Sequence, residues 1–187
     1  MEWVKHAWHN VNPGKELPAV VRCCIEIPEG SKGKYELDKE SGLLRLDRVL
    51  FSSVHYPANY GFIPQTYCDD HDPLDILVIS SIDLFPMSLV DARVIGAMAM
   101  IDNNEKDIKI ISVALHDESV NHIKNLSELP PHTIVQLRRF FEDYKKLEHK
   151  DVTVEEFLDI NKAYEVINDS IKLYHDNMNQ LIKGTAV

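Results

Sequence analysis

The run CDDHDPLDILVIS, residues 68–80, joins four carboxylates, Asp69, Asp70, Asp72 and Asp75, to an unbroken apolar stretch, Ile76-Leu77-Val78-Ile79. Charges of one sign this close repel each other, whereas a short apolar run bounded by turn residues reads as a buried strand. A loop stiffened by Pro73 and anchored on such a strand can hold carboxylates converging on hard cations. The plain alternative is a solvated acidic turn. Familiar templates do not decide between them. An EF-hand loop starting at Asp70 needs glycine at 75 and glutamate at 81, where the chain has Asp75 and Ser81. No HExxH, Walker A or GxSxG pattern occurs. His71 is a further candidate ligand, set against nine histidines in the chain.

Outward from this run, residues 19–115 read mostly as strands. Val20 to Ile27 is rich in β-formers and ends at Pro28; Lys34 to Leu37 and Leu43 to Leu50 flank a polar connection with Gly42, which suggests a hairpin. Further strands are expected over 54–63, 76–82, 92–101 and 108–115. Short strands at this spacing, without helical crossovers, predict a closed or nearly closed antiparallel barrel. After Leu129 the period changes. Pro130-Pro131 opens a helix carrying Ile134, Leu137, Phe141 and Tyr144 on one stripe. A second helix is expected over 157–182, with Val166, Ile167, Ile171, Tyr174 and Met178 aligned and Gly184 just past its end. Nothing divides the chain, so 187 residues are read as one domain with its core over about 18–182.

A composition of 44% hydrophobic and 27% charged residues is that of a globular protein rather than a disordered one. The formal charge of −10 argues against a nucleic-acid partner. No apolar run reaches membrane-span length, and MEWVKHAWHN lacks the apolar segment of an export signal. Three cysteines form neither a disulfide framework nor a CxxC pair, so a reduced, cytoplasmic setting is expected.

Two other clusters bear on the acid run. In DNNEKDIK, residues 102–109, strand alternation puts Asp107 and Lys109 on one face, opposite Ile108 and Ile110, with Asp102 and Glu105 nearby. In Leu44 to Leu50, alternation puts Arg48 with Leu44, Leu46 and Leu50, and an arginine on an apolar face needs an anion. Lys34 and Glu36 share a face, Tyr56 and Tyr60 offer phenols, and Tyr144-Lys145 ends the first helix. A barrel that gathers acids, bases and phenols is costly unless they serve a ligand. Acids for divalent cations together with bases for an anion imply a metal-complexed polyanion, most simply a phosphate ester or anhydride.

The chain resembles the soluble, single-domain inorganic pyrophosphatases. DHDPLDIL matches the family's signature of three aspartates around a proline, and IEIP (25–28), KYELDKESGLLRLDR (34–48), YPANYGFIP (56–64), MIDNNEKDIK (100–109) and RRFFEDYKKLE (138–148) follow in family order. The resemblance implies a mainly β fold, an OB-like antiparallel β-barrel with two principal α-helices packed outside. It implies Mg²⁺-dependent hydrolysis of pyrophosphate to two orthophosphates by a metal-activated water, without a covalent intermediate. Several Mg²⁺ ions per site are implied, with Mn²⁺ a substitute. By resemblance, Asp70, Asp75, Asp102, Asp107 and Glu36 hold metal and Asp72 is the general base. Lys34, Arg48, Tyr60, Lys109, Tyr144 and Lys145 bind phosphate, supported by Glu26 and Tyr56. A homo-oligomer is implied, with hexamer, dimer and monomer left open, since Arg139 and Asp143 stand where hexameric members often have histidines. Asn103 replaces a frequent carboxylate, and His71 replaces a glycine whose position would call for positive φ. Two rival readings remain at this point. A broader nucleotide phosphohydrolase is separable by comparing pyrophosphate with ATP. A non-catalytic metal-binding protein leaves Lys34, Arg48 and Lys109 without a purpose.

Overall fold

The computed structural model describes residues 6–102 and 105–185. Asn103 therefore lies outside the described residues.

Eight strands form two sheets: β1 (Val20–Ile27), β2 (Gly33–Leu37), β3 (Leu44–Val49), β4 (Asn59–Phe62), β5 (Asp75–Ile79), β6 (Leu89–Asp102), β7 (Glu105–Ala114) and β8 (Val152–Leu158). The larger sheet runs β1-β4-β5-β7-β6-β8, and β1 also pairs with β6, so five strands close into a ring with β8 added outside. The 14-residue β6 makes this possible. Its first part, Leu89 to Arg93, pairs with β1, and its last part, Ala97 to Asp102, pairs with β8. A register shift between Val94 and Gly96 bends the strand between those two uses. Strands β2 and β3 form a separate two-stranded sheet.

The expected alternation is visible in β5. Leu77 packs into one apolar cluster, whereas Ile76 and Val78 pack into another, so both faces of the strand are buried. Helix α1 (Ala7–Asn10) precedes the strands, and helix α2 (Pro131–Asp143) closes the first cluster with Leu137, Phe140 and Phe141. Helix α3 (Ile160–Thr185) closes the second with Ala163 and Ile167. At about 1.5–3 kcal/mol for each fully buried large apolar side chain, these two clusters supply the main driving force of the fold. Gly61 of β4 is required by close approach, since a Cβ there would lie 1.9 Å from the Cys24 carbonyl oxygen of β1.

The structure departs from the sequence reading in four places. The pairing is antiparallel except between β5 and β7, which run parallel. The strand expected over 54–63 shrinks to Asn59–Phe62, as Pro57 interrupts it. Strand β8 was not anticipated, and because it takes Phe157 and Leu158, α3 starts at Ile160. Lastly, Arg48 pairs with Lys34 while Leu46 pairs with Tyr35, so Asp47 is an extra residue that breaks the alternation of β3. Leu46 is consequently 50% exposed, and Arg48 does not share an apolar face with it.

Candidate active site

The parallel pairing of β5 with β7 brings the starts of both strands to one edge of the ring. Ile76 pairs with Ile110, so Asp75 falls beside Lys109, and alternation along β7 adds Asp107 on the same side. Lys109 Nζ lies 2.6 Å from Asp75 Oδ2 and 2.9 Å from Asp107 Oδ2, and it donates to the Tyr60 hydroxyl at 3.1 Å. Tyr60, on β4, also donates to Asp75 Oδ2. Burial by itself would lower the pKa of the Lys109 ammonium, but Asp107 and Asp75 beside it hold it well above the usual lysine range. Burial and the neighbouring Asp75 raise the Asp107 carboxyl, and Lys109 opposes them.

These groups form one wall of a cleft of about 300 Å³. Asp102, the last residue of β6, receives Lys145 and stands 3.5 Å from the Tyr144 hydroxyl, at the limit of a hydrogen bond. Both partners follow from α2, whose buried Leu137, Phe140 and Phe141 carry Tyr144 and Lys145 over the end of β6. Lys34 and Glu36 project together from β2, as alternation predicts; Lys34 contacts Glu36 and lies 3.2 Å from Asp47. Glu26, on β1, accepts a 2.6 Å hydrogen bond from the Leu37 backbone and so ties β1 to β2. Burial pushes its carboxyl up to about 8 despite that bond, with Asp75 and Glu36 adding to the rise.

Asp70 and Asp72 belong to the exposed turn before β5. His71 there has φ 68°, in the left-handed region that favours glycine. The turn is closed by Cys68 N donating to Asp72 O at 2.9 Å and His71 N donating to Cys68 O at 3.0 Å. Asp72 N donates to Asp70 Oδ1 at 3.1 Å. Burial, with Asp72, Asp75 and Asp107 adding to it, raises the Asp70 carboxyl to about 6. Asp69 is exposed and does not line the cleft.

Of the residues singled out in the sequence, Glu26, Lys34, Glu36, Tyr60, Asp70, Asp72, Asp75, Asp102, Asp107, Lys109, Tyr144 and Lys145 all line this one cleft. Two do not. Tyr56 is buried behind Tyr60, ring against ring at 5.6 Å. Arg48 lies behind Lys34, bound to Asp47 and, through Nε at 2.7 Å, to Glu148. Reading by motif missed Asp47 and Glu148, the acids on Arg48, and Lys39 and Trp8 at the rim. The displaced alternation of β3 carries the signal for Asp47. Nothing local in the sequence connects Trp8 to a turn more than 60 residues later.

The donor set suits divalent cations. Seven carboxyl groups (Glu26, Glu36, Asp70, Asp72, Asp75, Asp102, Asp107) line the cleft against four ammonium groups (Lys34, Lys39, Lys109, Lys145). Asp102 Oδ1 is buried without a hydrogen-bond partner, an acceptor in need of a cation, and Arg48 Nη2 is a buried donor in need of an anion. Hard oxygen ligands in such excess fit hard divalent cations rather than soft metals.

Comparison with known proteins agrees with this chemistry. A family model described as inorganic pyrophosphatase matches residues 23–175. The soluble inorganic pyrophosphatase 2 of Chlamydomonas reinhardtii is 49% identical over 172 residues, 92% of this chain and 90% of the relative. The soluble inorganic pyrophosphatase 4 of Arabidopsis thaliana is 51% identical over 91% of this chain and 79% of the relative. Among solved structures, the inorganic pyrophosphatase of Thermus thermophilus superposes with a TM-score of 0.88 at 37% identity, covering 91% of this chain and 99% of that one.

Proposed function

The chain belongs to the inorganic pyrophosphatase family, whose reaction is the hydrolysis of pyrophosphate to phosphate, and we propose that here water attacks directly with Mg²⁺ as the resident metal. The family implies a divalent cation. The single observation that carries the finer reading is the convergence on one cleft of excess carboxylate with buried lysines and phenols.

Asp70, Asp75 and Asp107 would hold the tightest ions, and Asp102 and Glu36 those arriving with substrate. When bound, such ions lower the pKa of water toward neutrality and offset the charge of the tetra-anionic substrate, which a chain of net charge −10 would otherwise repel. Asp72 takes the proton of the attacking water. Lys34, Tyr60, Lys109, Tyr144 and Lys145 bind phosphate oxygens, with Arg48 behind Lys34 offering its unpaired Nη2, and the preorganised positive charge of the set stabilises the leaving phosphate. Tyr60 and Lys109 are oriented for this by Asp75, Tyr56 braces Tyr60 from behind, and Glu26 ties β1 to β2 through the Leu37 backbone. We place the reaction in the cytoplasm, with Mn²⁺ able to replace Mg²⁺, and assign it to one catalytic unit over about 18–182. No helix among the described residues is long and apolar enough to cross a membrane.

The test is phosphate release from pyrophosphate and from ATP, each with Mg²⁺ and with chelator. Pyrophosphate with Mg²⁺ is expected to be the productive combination, and Ca²⁺ to inhibit it. Faster release from ATP would move the chain to nucleotide hydrolysis.

A further inference from the structure

Resting on the role of Asp72 as base, we propose that the N-terminal arm, residues 6–10, is part of the catalytic apparatus, fixing Asp72 through Lys39 as a positioning residue. Asp72 needs such a restraint. Its side chain is 52% exposed on a turn that passes through a left-handed residue, and a carboxylate placed so can rotate among several rotamers. Lys39 contacts Asp72 Oδ1 and donates to the His71 backbone oxygen at 2.9 Å, holding side chain and turn together. Because Oδ1 is the oxygen engaged, Oδ2 remains for the proton of the attacking water.

Lys39 is itself a long chain on a hairpin turn, so it transmits order only if both of its ends are held. The arm holds both. His6 Nε2 lies 2.9 Å from the Lys39 carbonyl oxygen, and the Trp8 ring lies 5.8 Å from the ammonium, within cation–π range. The arm is itself anchored to the segment leading into the aspartate turn. Trp8 Nε1 donates to Thr66 O at 2.8 Å, Gln65 N donates to Trp8 O at 2.9 Å, and Gln65 Nε2 donates to His9 O at 3.0 Å. On the hairpin side the fit is close: Gly42 has φ 70°, and a Cβ there would meet the His6 ring at 3.3 Å. The arm thus spans from the β2–β3 turn to the segment before the aspartates, and Lys39 closes the circuit.

Lys39→Met tests this, because Lys39 is 43% exposed and its loss should leave folding intact, checked by melting temperature. A displaced base should lower kcat about tenfold, with KM for pyrophosphate and calorimetric Mg²⁺ affinity unchanged. Lys39→Arg should recover most of the loss. His6→Ala should lower kcat about threefold, and the double variant should be no slower than Lys39→Met alone, since the two act in series. A raised KM with kcat kept would make Lys39 a substrate contact and overturn the proposal. Additive losses would also overturn it, as would a kcat unchanged in Lys39→Met. Asp72→Asn, measured alongside, separates the premise from the inference. If it keeps normal turnover, the base assignment fails and the proposal with it; if it is nearly inactive while Lys39→Met is normal, the arm alone is contradicted.

Discussion

Where β5 and β7 wall the cleft, Lys109 is 3% exposed and held by two carboxylates and a phenol; where β2 walls it, paired only with β3, Leu46 and Val49 of that partner strand stand about half exposed and Lys34, Glu36 and Asp47 share an ion cluster. The first wall belongs to the closed ring, with apolar residues packed on both faces of its strands. The second is a two-stranded sheet outside that ring. Charges buried on a rigid frame keep their geometry and interact strongly in low dielectric, which suits the binding of metal. Charges on a hairpin can follow a substrate that changes from one molecule to two.

The contrast can be broken by substitution. The largest effect is expected where a group from the exposed turn meets the reacting water: Asp72→Asn should lower kcat by about 10²–10⁴ while Mg²⁺ binding, read calorimetrically, persists. Next comes the rim at α2. Lys145→Met should lower kcat/KM about 10- to 100-fold, the worth of one hydrogen bond to a charged group. A comparable loss in Arg48→Met would show that the arginine behind the hairpin reaches the substrate as well.

Smaller, and of a different kind, is the effect of Glu26, which joins the two walls. Its carboxyl is raised to about 8 in the folded chain and is near 4.5 when unfolded, so the folded state binds the extra proton between those values. Stability of the metal-free protein should therefore be fullest below about pH 4.5, as far as this group is concerned, and fall toward pH 8. The slope is on the order of 1 kcal/mol per pH unit. Glu26→Gln should flatten that part of the melting profile, and an unchanged slope would remove Glu26 as its source. The smallest effect belongs to Asp69, outside the cleft, whose replacement by Asn should change turnover less than about twofold.

How much of this was legible in the sequence follows the same division. Period-two alternation located Asp107 and Lys109 correctly, because β7 is regular over Glu105–Ala114 and buried. It failed at Arg48, where Asp47 is an extra residue and no core enforces the register. The parallel pairing of β5 with β7 could not be read from either strand, since direction depends on the path of the chain between them. The backbone angle at His71 was an open question in the sequence, and the structure answers it with φ 68°. The arm was not legible there, because Trp8, Lys39 and Asp72 are brought together only by tertiary packing.

If the partly buried carboxylates of the ring hold the metal that activates water, Asp75 is the residue on which activity turns. The direct measurement is phosphate release from pyrophosphate by Asp75→Asn as Mg²⁺ is raised. Turnover is expected to collapse at the Mg²⁺ level that saturates the wild type and to return, in part, only at concentrations at least about tenfold higher. Near-normal turnover of Asp75→Asn at ordinary Mg²⁺ would contradict it.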